Sequence, residues 1–170
     1  MKRTIGFLSF ALILGLAGHA FSDDKVEKAP AKDLPGWSRL ATLVGEWEAK
    51  CEDGKVCRAK YELIAGGSAL LETMEGPCGN MLTIYHGDKD HVVLTHYCCA
   101  GNQPRMKVAK ATDKEIEFEF LDATNLEKPG DPHMHGLVTR FKDEKHYSEE
   151  WTFRAGEKSE KKVLEYERKK

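Results

Sequence analysis

From Gly45 onward the chain alternates apolar and polar residues with a period of two. Trp47, Ala49 and Cys51 interleave with Glu46, Glu48 and Lys50, and Cys57, Ala59, Tyr61 and Leu63 interleave with Arg58, Lys60 and Glu62. Successive side chains of a strand point to opposite faces, so this pattern predicts strands with one buried face and one wet face. Asp53-Gly54 between the two runs is a hairpin turn signal. After Ala65-Gly66-Gly67 the pattern predicts further strands at Ser68–Glu75, Met81–His86, His91–Cys98, Arg105–Ala111, Glu115–Leu121, His133–Phe141, His146–Arg154 and Lys162–Arg168. Their separators, such as Gly76-Pro77-Cys78-Gly79-Asn80, Thr112-Asp113-Lys114 and Asp143-Glu144-Lys145, are hairpin-loop material.

Upstream the period is helical: Pro35-Gly36-Trp37 opens a short pattern that puts Trp37, Leu40, Leu43 and Val44 near one face, closed by Gly45. No long amphipathic helix is available to cover an open sheet. A meander of about ten short strands then removes its edges most economically by closing on itself. The predicted fold class is all-β: an up-and-down antiparallel β-barrel of about ten strands with a short N-terminal helix.

Ahead of this domain, Lys2 and Arg3 precede an uncharged apolar run from Ile5 to Ala17 that ends in small residues near Ala20 and Ser22. That is the layout of a secretory signal peptide, and the run is shorter than the roughly twenty residues needed to span a bilayer. The expected organisation is a signal peptide over residues 1–22, a flexible leader over 23–34 and a barrel domain over 35–170. Lys2 and Arg3 are the only charges removed, so maturation takes the formal net charge from −2 to −4. This mild negative balance points away from nucleic acid and anionic membrane surfaces. The expected location is periplasmic or secreted, with no membrane span in the mature chain. In an oxidising compartment the five cysteines can form two disulfides at most. Cys51 and Cys57 face each other across the Asp53-Gly54 turn and are the expected pair, with a pair of reduced thiols as the alternative.

His133 and His135 stand two apart on one predicted strand, which places them on the face continued by Leu137, Thr139 and Phe141. His96 shares its face with Val92, Leu94 and Cys98, and Asn102 and Arg105 follow directly. If the barrel closes, these residues gather at one mouth. Three histidines suit a zinc site, with copper favoured by a soft neighbour; a hydrogen-bonded polar network closing the barrel end is the competing reading. Trp47, Tyr61, Phe118, Phe120, Phe141 and Trp151 are the expected lining of an apolar cavity. Glu72 and Glu149 fall among inward apolar positions as candidate pocket carboxylates. No nucleophile elbow, phosphate loop, metalloprotease helix or dinucleotide fingerprint is present.

The run Leu43-Val44-Gly45-Glu46-Trp47-Glu48 resembles the Gly-x-Trp signature that opens lipocalin-like (calycin-type) barrels. Gly66 to Met74, the string Thr95-His96-Tyr97-Cys98 continuing through Gly101-Asn102-Gln103-Pro104-Arg105-Met106, and His133-Met134-His135 resemble an uncharacterised family of exported bacterial proteins. The resemblance implies a lipocalin-like barrel and brings no activity or cofactor with it. The expectation is therefore an exported barrel binding a small amphipathic ligand, with His96, Asn102, Arg105, His133 and His135 at its polar mouth. The alternatives are a metal-binding protein or metal-dependent enzyme using His96, His133 and His135, or a structural envelope protein with a filled barrel. Mass spectrometry of the cell-envelope fraction is expected to find a mature chain beginning at Phe21 or Asp23; an intact chain from Met1 in the cytosol would contradict export.

Overall fold

The computed structural model describes residues 34–51 and 54–169. The expected signal peptide and the leader as far as residue 33 lie outside the described residues. A helix α1 (Trp37–Ala41) precedes ten strands: β1 (Gly45–Lys50), β2 (Val56–Ile64), β3 (Ala69–Gly76), β4 (Gly79–Asp88), β5 (His91–Tyr97), β6 (Gln103–Ala111), β7 (Glu115–Thr124), β8 (His133–Phe141), β9 (His146–Ala155) and β10 (Lys158–Arg168). Each strand pairs antiparallel with the next, and β10 returns to β1. The sheet is a closed ten-stranded barrel, as the alternation and the absence of a covering helix predict.

Several strands run further than their apolar residues indicate. β10 starts at Lys158 rather than Lys162, because Lys158 to Lys161 pair with Ala155 to Thr152 through their backbones. β4 starts at Gly79 because Gly76 pairs with Gly79 and leaves Pro77-Cys78 as a two-residue turn. A ladder needs a partner strand and not an apolar side chain, so burial pattern alone underestimates strand length.

The helix closes one end of the barrel. Trp37, Leu40 and Leu43 are buried, whereas Val44 is 41% exposed, since the chain has left the helix by Thr42 and the side-chain period has changed. Gly36 sits at φ +86°, and a Cβ there would lie 3.2 Å from Ile116 Cδ1 at the start of β7. Only glycine combines that left-handed backbone with so close an approach. The Arg39 guanidinium lies 4.3 Å from the centre of the Phe141 ring at the end of β8.

Arg168, near the end of β10, fastens the same end. Its guanidinium donates to the carbonyls of Thr42 (2.7 Å), Val44 (2.8 Å) and Glu144 (3.0 Å) and stacks over the Trp47 ring at 4.1 Å. Trp47 in turn donates its indole N–H to Leu43 O at 2.7 Å. Gly45 has φ +129°, and a Cβ there would meet Arg168 Nη1 at 2.8 Å. The Gly-x-Trp run is thus a seat for this guanidinium.

At the opposite end, Cys51 and Cys57 form the expected disulfide across the β1–β2 hairpin, with Cα atoms 5.7 Å apart. Among the described residues no helix is long and apolar enough to cross a membrane. Arg168→Ala removes three charge-assisted hydrogen bonds and a ring contact, and is expected to cost about 2 kcal/mol or more of stability in urea titrations. Arg58→Ala, which breaks only exposed ion pairs with Glu48 and Glu75, is expected to stay within about 0.5 kcal/mol of the parent. Equal losses would show that Arg168 is not the fastening.

Candidate ligand cavity

Antiparallel register puts directly opposed residues on one face. Across β2 to β5 the partners run Tyr61, Glu72, Thr83, His96, and all four side chains are buried. On the far wall Thr139 opposes Glu149, also buried. The barrel therefore carries a polar layer through its core. Tyr61 donates to Glu149 Oε1 across the interior (2.9 Å) and accepts from Tyr147 (3.1 Å), while Trp151 donates to Glu149 Oε2 (3.0 Å). Tyr85 donates to Glu72 Oε2 at 3.1 Å, and Thr83 Oγ1 lies 3.0 Å from His96 Nδ1. Burial pushes both carboxyls above the ordinary carboxylate range, and at Glu149 the charge of Glu72 adds to it. Two buried carboxyls that feel each other's charge disfavour ionising together. Burial pushes the His96 imidazole down to about 4, so it is neutral at pH 7.

Toward the disulfide end the interior opens into a cavity of about 570 Å³. His96 and Trp151, whose rings lie 4.7 Å apart, belong both to its wall and to the polar layer. The rest of the wall is largely apolar and rich in sulfur: Met74, Met81, Met134, Phe153 and all five cysteines take part, with Glu160 and Lys162 contributed by the first residues of β10. His96 Nε2 is buried and has no hydrogen-bond partner.

The residues predicted for the site separate into groups. Only His96 and Trp151 line the cavity. Trp47, Tyr61, Phe118 and Phe141 pack in the core: Trp47 lies under Arg168, Tyr61 in the polar layer, Phe118 against Tyr85 (5.8 Å) and Phe141 under Arg39. Arg105 is exposed and pairs with Asp122 through two hydrogen bonds. Asn102 is buried and donates to Pro132 O at 2.8 Å, tying the β5–β6 loop to the start of β8.

The expectation that His133 and His135 share the face of Leu137 assumed an unbroken ladder. Instead the β8–β9 register shifts between Met134, opposite Phe153, and Gly136, opposite Thr152, leaving His135 as the extra residue. Met134, rather than either histidine, then contributes to the cavity wall. The two histidines form a separate cluster. His133 Nε2 is 3.0 Å from His135 Nδ1, His133 Nδ1 is 2.6 Å from Asp131 O, and Phe120 stacks on the His135 ring at 4.6 Å and packs tilted against that of His133 at 4.8 Å. Arg154 approaches His135 Nε2 at 3.2 Å. Burial, then the neighbouring His133 and Arg154, lower the His135 pKa. Among the described residues no three His, Cys, Asp or Glu side chains are grouped to hold a metal ion.

The chain pattern puts Cys78 in a loop that can reach Cys98 or Cys99; what it did not give is that all five cysteines border one opening. Cys51 ends β1, Cys57 begins β2, Cys78 turns β3 into β4, and Cys98-Cys99 follow β5. In an up-and-down barrel those positions all fall at one end, so the signal was in the chain order. No protein-family model matches the chain, and no curated protein matches it.

The lowered His96 pKa has a thermodynamic consequence. An unfolded histidine takes up its proton near pH 6.5, the folded one only near 4, so the stability contributed by neutral His96 is complete above pH 6.5 and is lost as pH falls toward 4. The full loss is about 3 kcal/mol at roughly 1.4 kcal/mol per pH unit. The raised carboxyls act with the opposite sign, their contribution being complete below the ordinary carboxylate range and lost as pH rises through their folded values. His96→Gln is therefore expected to lose less stability than the parent between pH 6.5 and 4, by up to about 3 kcal/mol in urea titrations; parallel curves would contradict the assignment.

Proposed function

We propose that the protein is an exported, lipocalin-like barrel that binds a small amphipathic ligand in the cavity beside His96. The observation that carries this reading is the cavity itself, about 570 Å³ and largely apolar, set into one end of a barrel whose other end is plugged by α1. Its volume falls within the range typical of small-molecule sites. Met74, Met81 and Met134 offer a polarisable, adaptable wall for the apolar part of a ligand. His96 Nε2, neutral and unpartnered at the inner wall, suits one hydrogen-bonding group of that ligand. A buried polar atom without a partner costs roughly 1–3 kcal/mol, and a ligand that satisfies it recovers part of that cost.

Export is supported by the Cys51–Cys57 pair, a feature of oxidising compartments. The cavity argues against a filled structural barrel. The separation of His96 from the His133–His135 cluster argues against a three-histidine metal centre.

An environment-sensitive anilinonaphthalene sulfonate dye is expected to bind saturably, with fluorescence enhancement. Met134→Trp, which fills part of the cavity, is expected to weaken the dye at least tenfold. Phe141→Leu, at the plugged end, should change it less than threefold. Absence of saturable binding, or equal effects of the two substitutions with circular dichroism unchanged, would overturn the proposal.

A further inference from the structure

The free thiols at the cavity rim are not used by the ligand reading. Cys78 and Cys99 are exposed, Cys98 is half-buried, and all three border the same opening. The Cys78 thiol points at the Met81 thioether, Sγ to Sδ 3.8 Å. Cys99 is the other neighbour: Leu82 pairs with Tyr97, so Cys99, two residues past Tyr97, falls beside the start of β4 and the Cys78 turn, and both cysteines line the same cavity. The turn geometry explains the meeting. Pro77-Cys78 is the two-residue turn between β3 and β4, Met81 lies three residues along β4, and β5, paired with β4, delivers Cys99 just beyond its end.

We propose that Cys78, Cys99 and Met81 form a site for a soft monovalent cation of the copper(I) class at the mouth of the barrel. Two thiols and a thioether are soft ligands, and such sets select copper(I) over hard cations. The Cys78–Met81 spacing of 3.8 Å fits: with metal–sulfur bonds of about 2.3 Å, ligands sharing one ion at tetrahedral to trigonal angles stand about 3.8–4.0 Å apart. Structural zinc asks for four ligands, and among the described residues no third His, Cys, Asp or Glu joins this pair as a metal-holding group. Copper(I) accepts three-coordination and counts the methionine as a full ligand.

Charge agrees as well. Binding as thiolates releases both thiol protons and leaves a complex of net charge −1. The Lys162 ammonium, on the cavity wall, is of the sign that complements that charge. Cys98, whose sulfur accepts the Ala100 N–H at 3.4 Å, is left outside the set because the observed sulfur contact of Cys78 is to Met81. The site rests on sulfur at the rim and not on the cavity's occupant, so it stands or falls independently of the dye experiment.

The test is competition for copper(I) alone. Mature protein with Cys51–Cys57 intact is titrated anaerobically against a chromophoric copper(I) chelator, with ascorbate holding the ion reduced. One equivalent is expected to leave the chelator. Cys78→Ser/Cys99→Ser is expected to weaken binding at least a hundredfold, Met81→Leu about tenfold, and Cys98→Ser less than threefold. Circular dichroism of each variant checks the fold, which exposed Cys→Ser changes should leave intact. Competition no stronger than that of the double variant, a loss in Cys98→Ser equal to that in Cys78→Ser, or a Cys78–Cys99 disulfide in protein isolated from the cell envelope would overturn the proposal.

Discussion

The pairing of β10 with β1 is the contact on which the interior depends. Without it the sheet has two free edges, and a row of inward side chains has no far wall. Only Trp47 to Ala49 and Tyr166 to Arg168 take part in that ladder, so its backbone bonds alone are a thin closure. Arg168 reinforces it by reaching past β1 to the carbonyls of Thr42 and Val44 and across to Glu144. One guanidinium thereby ties the last strand, the first strand, the helix exit and the β8–β9 loop. Its planar fork of donors makes this possible where an ammonium would satisfy fewer carbonyls in fixed directions.

Closure then turns register into chemistry. Tyr61, Glu72, Thr83 and His96 are partners across three successive ladders, so their side chains form a rank rather than a scatter. A buried carboxylate without partners is costly, and here Tyr61, Tyr85 and Trp151 donate to the two carboxyls. The satisfaction is incomplete: Glu72 Oε1, Thr139 Oγ1, Tyr166 OH and His96 Nε2 lack protein partners. The first three are not in the cavity wall, whereas His96 is. That difference makes His96 the one unpartnered group of the four that borders the cavity.

Much of this was legible because alternation and antiparallel pairing both have period two. Alternation placed Glu72 and Glu149 inward beside apolar neighbours, and the need to remove edges gave the barrel. The failures have three physical origins. Periodicity carries a side chain's face along a strand only while the ladder is unbroken, and shifts occur at Arg105/Met106, Val108/Lys110 and Met134/Gly136. The last of these separated His133 and His135 from the wall that Met134 joins. Nor does inwardness tell depth. Trp47, Phe118 and Phe141 are buried as expected, yet they fill the barrel rather than line its opening. Glu160 and Lys162 were missed for the opposite reason, since a polar run without apolar alternation still pairs through its backbone and still turns alternate residues inward.

The cavity lies at the disulfide end because the two ends are built from different material. At the helix end, Trp37, Leu40 and Leu43 bring bulky apolar side chains over the strand ends, and Phe141 and Ile116 meet them. Filling that space contributes hydrophobic stabilisation that empty volume forfeits. At the other end Cys51, Cys57, Gly76 and Cys78, all small, stand at the rim, and no helix among the described residues caps them. The connections at this end tie strands to each other, through Cys51–Cys57 and through Asn102 to Pro132. A rim held apart by covalent and hydrogen-bonded ties, with small residues at several of its positions, leaves the space above Trp151 and His96 unfilled by the side chains of the described residues.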